Sequence, residues 1–198
     1  QMKVLGIYPG VRHLGYCFLE TIDHNIIKFS TDSVLLDTDK TLNRVDYHKF
    51  CVQRGYRLNN IRKITINLMD EYPVDIVIIH RPVYFGSGWS PLSQTIKLMS
   101  ISMCENSGVI QQSCVEMGVS FLVYNSSLMR KNLFGDLFNG RVKKEAVHKA
   151  IGRLIEDAGF KFPKCSLHPS YEATSMALGF LEEINKAEKN ESTDKQID

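Results

Sequence analysis

The sequence predicts an α/β domain built on a five-stranded mixed sheet with helices on both faces. Three observations predict it. The first thirty residues hold three short strand-like runs, spaced as in an antiparallel meander. Two later runs are apolar almost throughout, as in strands buried on both sides. Longer segments with helical apolar spacing separate these runs, which is the order expected of parallel αβ units.

Residues 3–8 (KVLGIY) run into Pro9-Gly10, a pair that cannot extend a central strand and favours a turn. Residues 15–20 and 26–30 follow as two more strands with polar residues between them. From Arg54 the apolar side chains take helical spacing, with Leu58, Ile61, Ile64, Leu68 and Met69 on one face until Tyr72-Pro73 ends the helix. Residues 75–80 (DIVIIH) form the first buried strand, closed by Arg81-Pro82. A glycine-rich loop (FGSGW, 85–89) leads to Ser90-Pro91, an N-cap followed by proline in the first helical turn. That helix passes through Ile96, Met99, Met103 and Ile110 toward Met117. Residues 119–124 are the second buried strand, and a loop with Gly135, Asn139 and Gly140 leads to a helix at about 143–157. The last helix is expected over about 170–186. One domain over 1–186 is therefore expected, and the polar, charged residues 187–198 read as a disordered tail.

Of 198 residues, 43% are hydrophobic and 23% charged, enough for one substantial core. No apolar run approaches the roughly 18 residues that span a membrane, and the N-terminal segment lacks the pattern of a signal peptide, so an intracellular location is expected. The five cysteines (Cys17, Cys51, Cys104, Cys114, Cys165) include no CxxC pair and read as reduced thiols. Net charge is only +2, but it is unevenly distributed. Between residues 129 and 153, Arg130, Lys131, Arg141, Lys143, Lys144, Lys149 and Arg153 face only Asp136 and Glu145, while the rest of the chain is slightly acidic. A basic segment on such a body is either a phosphate-binding surface or a solvated helix face.

Four ordered blocks carry a family resemblance. Leu5-Gly-Ile-Tyr-Pro-Gly10 with Gly15-Tyr16 resembles the opening strand of the RuvC family of Holliday-junction resolvases, and residues 76–82 (IVIIHRP) resemble its fourth strand. Residues 130–147, with Gly135, Gly140 and the run KKEAV from Lys143, are similar to the family's basic loop and following helix. Residues 168–177 (HPSYEATSMA) resemble its terminal motif. The resemblance implies an RNase-H-like fold. It also implies a nuclease in which carboxylates from strand ends and one helix hold two Mg²⁺ ions about 4 Å apart. This chain departs from that pattern: Tyr8 stands where the first-strand aspartate is expected, and His80 where the fourth-strand glutamate is. A phenol and a neutral imidazole bring no negative charge at pH 7, and imidazole suits Mg²⁺ poorly. Only Glu172, with His168 four residues before it, has an obvious acidic counterpart.

Three readings follow from that deficit. The fold has lost metal-dependent cleavage and kept binding or scaffolding; or His80, His168 and Glu172 form a different site for a transition metal; or other acids (Asp75, Asp136, Glu116) complete the set, although Asp75 lies at the opposite end of its strand from His80. Each histidine taken alone reads as a hydrogen-bonded residue at an element end.

Arg81, at the carboxyl end of a buried strand, is a candidate phosphate ligand or the partner of an acid on a neighbouring helix. Tyr84, Phe85 and Trp89 occupy the loop where the resemblance implies an aromatic wedge at the branch point. The resemblance implies that Arg130, Lys131, Lys143 and Lys144 stand where the family touches phosphates, and Arg141 of the same basic segment is a further nucleic-acid-binding candidate. The long helix ending near Met117, with Asn106-Ser107-Gly108 inside it, could serve a homodimer. The leading expectation is a nuclease-inactive, RuvC-like protein that binds branched DNA or structured RNA and needs no cofactor. The alternatives are an active metal-dependent, structure-selective endonuclease using Mg²⁺ or Mn²⁺, and a structural subunit with protein partners in a replication, recombination or transcription complex.

Overall fold

A computed structural model describes residues 1–36, 47–82, 94–135, 143–164 and 166–194. The strands are β1 (Met2–Pro9), β2 (His13–Ile22), β3 (Asn25–Leu35), β4 (Ile76–His80) and β5 (Ser120–Tyr124). The helices are α1 (Tyr47–Glu71), α2 (Gln94–Met117), α3 (Ser126–Phe134), α4 (Lys144–Asp157) and α5 (His168–Asp194). They form the expected mixed sheet, in the order β3-β2-β1-β4-β5. β1 pairs antiparallel with β2 and parallel with β4, and β4 pairs parallel with β5.

Strand alternation sorts the side chains between two cores. Leu5 and Ile7 of β1, with Val77 and Ile79 of β4, face α1 and α2, where Ile61, Leu68, Ile110 and Cys114 close the layer. Val4 and Ile78 face the other way, against α3, α4 and α5 through Met129, Val147, Ile151, Ala173, Met176 and Ala177. A fully buried isoleucine such as Ile78 or Ile151 stabilises this packing by about 2 kcal/mol. By the same period of two, Tyr8 and His80 extend the Val4 and Ile78 rows and lie on the α5 side. The parallel register that pairs Ile7 with Ile79 places them on neighbouring strands at the same end of the sheet.

Three departures from the sequence reading concern helices. Residues 126–134, read as part of a loop, form α3: Asn125 caps it by accepting the Ser127 backbone N–H at 3.0 Å, and Gly135 ends it with a positive φ of 60°. Asn-Ser-Ser has the composition of a turn, and here it begins a helix. α5 also continues to Asp194, past Lys186, where disorder is expected; its added turns contain the good helix formers Ala187, Glu188 and Lys189. α1 begins at Tyr47 rather than Arg54. Cys17, Cys104 and Cys114 are free thiols, as expected. No helix among the described residues is long and apolar enough to cross a membrane.

Asn106 is wholly buried on α2 and donates to the Gly10 carbonyl at 2.9 Å, tying the helix to the turn after β1. Gly108 has open space where a Cβ would stand, so within the chain it serves no close helix approach.

Candidate functional site

At the carboxyl ends of β1 and β4 the four singled-out positions come together. The Tyr8 ring stacks on His80 with centroids 4.8 Å apart and meets His168 edge-on at 5.9 Å. His168 and Glu172, one turn apart on α5, share a helix face, with Nε2 of the imidazole 3.8 Å from Oε1 of the carboxylate. Two strand ends and one helix thus supply the cluster, as the parity of β1 and β4 requires.

Its chemistry is largely neutral. Burial, reinforced by Glu172, pushes the Tyr8 phenol up to about 12, so it keeps its proton. His80 is only 6% exposed, and burial, with the charges of Arg130 and His168, brings it down to about 4. His168 is likewise lowered to about 4, by burial first and then by Lys144, His148 and Arg130. Both imidazoles are therefore neutral at pH 7. Burial pushes the Glu172 carboxyl up, while Arg130, Ser126 and Lys144 act against the rise.

Arg130 is the residue whose position the sequence conveys least. Expected on a basic loop, it projects from α3 into this cluster and donates from Nη1 to Glu172 Oε1 at 3.0 Å. Among the described residues, the single carboxylate of the cluster already has a guanidinium partner. Lys131 is exposed on α3, Lys143 is the N-cap of α4, and Lys144 opens that helix close enough to act on His168 and Glu172. Arg81 is exposed beyond β4 and has no acid partner among the described residues. Tyr84, Phe85 and Arg141 lie outside the described residues, as do Trp89 and Asp136.

Behind the cluster lies a stack of rings that went unread in the sequence. His148 Nε2 and His168 Nδ1 are 2.9 Å apart, and one proton serves both rings in that contact. His148 also stacks on Tyr171 at 4.1 Å, and Tyr171 on Phe162 at 4.2 Å. The available signal was helical spacing: His148 falls one turn after Lys144, beside the buried stripe of Val147, Ile151 and Ile155.

The metal-binding readings can be tested against this donor set. Two Mg²⁺ ions require several hard oxygen ligands. Among the described residues the cluster offers one carboxylate, tied to Arg130, and a protonated phenol. Asp75 instead accepts the Lys3 backbone N–H at 2.7 Å at the far end of β4, and Glu116 pairs with Arg62 at 2.6 Å between α1 and α2. The transition-metal reading of His80, His168 and Glu172 fares no better, since no group of three His, Cys, Asp or Glu side chains among the described residues is arranged to hold a metal ion. These residues do not fit a resident divalent metal.

No family model matches the chain. The crossover junction endodeoxyribonuclease RuvC of Ehrlichia canis (strain Jake) is 28% identical over 154 residues, which span 78% of this chain and 83% of that protein. Among solved structures, T. thermophilus RuvC in complex with Holliday junction substrate superposes with a TM-score of 0.65 at 16% identity, covering 94% of this chain and 97% of that one. The yeast mitochondrial Holliday junction resolvase gives 0.63 at 13% identity, over 98% of this chain and 83% of that one.

Proposed function

We propose that this chain, which shares its fold with RuvC and resembles a RuvC sequence, binds branched DNA without cleaving it by a two-metal route. The observation that carries the reading is the composition of the converged cluster: Tyr8, His80, His168 and Glu172 meet, but one carboxylate among them is too few for two dications, and Arg130 already neutralises it. The similar proteins are named as junction resolvases, which makes a four-way junction the first substrate to test.

Binding falls to the basic segment. Arg130 of α3 and Lys144 of α4 act on the cluster, and Lys131 and Lys143 are their neighbours in sequence. Lys149 and Arg153, one helical turn apart on α4, line an adjoining cavity of about 330 Å³ with His148, Tyr171 and Lys164. These cations outnumber Glu156, the acid in that lining. Cations of this kind bind backbone phosphates with strong salt dependence and little sequence preference. Tyr84 and Phe85 are proposed to stack on bases at the branch point, and Arg81 and Arg141 to add phosphate contacts.

The test compares a labelled four-way junction with a duplex of equal length by fluorescence anisotropy, and incubates the junction with Mg²⁺ or Mn²⁺. Preferential junction binding without cleavage is expected. Lys143→Ala with Lys144→Ala should flatten the slope of log K against log salt by about 0.9 for each phosphate that the variant no longer neutralises. Metal-dependent cleavage would overturn the inactive reading. Absence of binding at low salt would overturn the DNA-binding one and leave a protein scaffold.

A further inference from the structure

We propose that Arg130 is a built-in cation for a phosphodiester, its guanidinium standing among Tyr8, His80, His168 and Glu172 where a resolvase would need divalent metal, and holding a backbone phosphate of the bound DNA there. The inference rests on the DNA-binding reading and names the ligand of that same cluster.

The placement of the charge is the first support. Arg130 bonds to Glu172, and it lies close enough to Tyr8, His80 and His168 to bear on the protonation of each. One cation therefore bears on each of the four residues that converge here. The fixed direction of the guanidinium is the second. Glu172 is buried, and it takes one of the five N–H donors, leaving the others of a planar fork whose geometry matches two phosphate oxygens. Access is the third: 25% of the Arg130 side chain and 29% of that of His168 remain exposed, so the cation is not sealed from solvent.

The surroundings suit an anion better than a metal. The ring walls are neutral, and Lys144 adds positive charge from the start of α4. A dication would have to displace the guanidinium from the cluster's one described carboxylate while facing its like charge. A phosphate meets no such competition. Glu172 acts as the tether that orients the cation, and its burial keeps it away from the approaching phosphate.

The test uses the full chain, the double variant Arg130→Gln with Glu172→Gln, and Arg130→Lys. The double variant removes both charges together, so no buried carboxylate is left unpaired. Three measurements are made: junction affinity against salt with EDTA or with Mg²⁺ at matched ionic strength, the melting-temperature shift caused by inorganic phosphate, and Mn²⁺ binding by electron paramagnetic resonance. The native protein is expected to bind the junction equally with EDTA and Mg²⁺, to gain melting temperature with phosphate, and to bind no Mn²⁺. In the double variant, affinity should fall about tenfold, the salt slope should fall by about 0.9, and the phosphate shift should vanish, while Arg130→Lys retains the slope. A merely structural arginine would change stability and leave the slope alone. An unchanged slope and phosphate shift in the double variant would sink the inference while native junction binding stands, as would stoichiometric Mn²⁺ in the native protein. If the native protein ignores junctions yet shows an Arg130-dependent phosphate shift, the DNA reading fails and the anion site survives. If it shows neither, both fall.

Discussion

Mild acid isolates the desolvated imidazole of His80. Burial, aided by Arg130 and His168, lowers its pKa from 6.5 to about 4. Between those values the unfolded chain takes up a proton that the folded protein refuses, so stability falls as the pH drops through that window and the loss levels off below about 4. Each unit of pH over which the difference is a full proton costs about 1.4 kcal/mol. Integrated from pH 7 to pH 4.5, the loss through His80 alone is about 2 kcal/mol. His168, also lowered to about 4, adds less because it is nearer solvent and hydrogen-bonded to His148. The assay is urea unfolding followed by far-UV circular dichroism at both pH values, on the native protein and on His80→Phe. Phenylalanine keeps an aromatic ring against Tyr8 but cannot titrate. The native protein should lose about 2 kcal/mol more than the variant between the two pH values, read from the midpoints at constant m. Equal losses would refute the reasoning, because background carboxylates are common to both proteins.

Three further perturbations probe the same architecture. Gly15→Ala places a Cβ on the Pro169 backbone and should destabilise by about 3 kcal/mol or prevent folding, read from the urea midpoint. Arg130→Met leaves the buried Glu172 carboxylate without its partner and should cost about 2 kcal/mol at pH 7, most of it recovered when Glu172→Gln is added. Tyr8→Asp with His80→Glu and Arg130→Ala rebuilds three carboxylates in the cluster and removes the competing cation, and Mn²⁺ binding should then become detectable by electron paramagnetic resonance. If no Mn²⁺ binds to the folded triple variant, the positions do not converge closely enough to cage a dication.

The sheet was legible because its signals are local. Pro9-Gly10 marks the end of β1 and Arg81-Pro82 the end of β4, and the apolar run between Asp75 and His80 admits one assignment. Strand parity then places Tyr8 and His80 together without knowledge of the rest. α3 was not legible, since its nine residues are too few for a clear periodic signal and its capping Asn125 has the composition of a loop. The position of Arg130 depends on α3, so its entry into the cluster was hidden for the same reason. The contact between His148 and His168 joins α4 to α5, and no pattern within either helix encodes it. That Tyr8, His80, His168 and Glu172 bring one carboxylate among them, by contrast, could be read directly from residue identities.

α5 is keyed to its neighbours by three residues that have no side chain to spare. Gly6 and Gly15 let the backbones of Ala173 and Pro169 settle onto β1 and β2, and Gly179 admits Met129 of α3 to within 2.7 Å of where a Cβ would stand. These contacts set the height of His168 and Glu172 above the sheet and the reach of Arg130 toward them. A cage whose walls depended on its metal would slump once the ligands mutated. Here the frame is held by backbone packing against the sheet and α3, so a substitution in the cluster can change its charge while leaving its spacing in place.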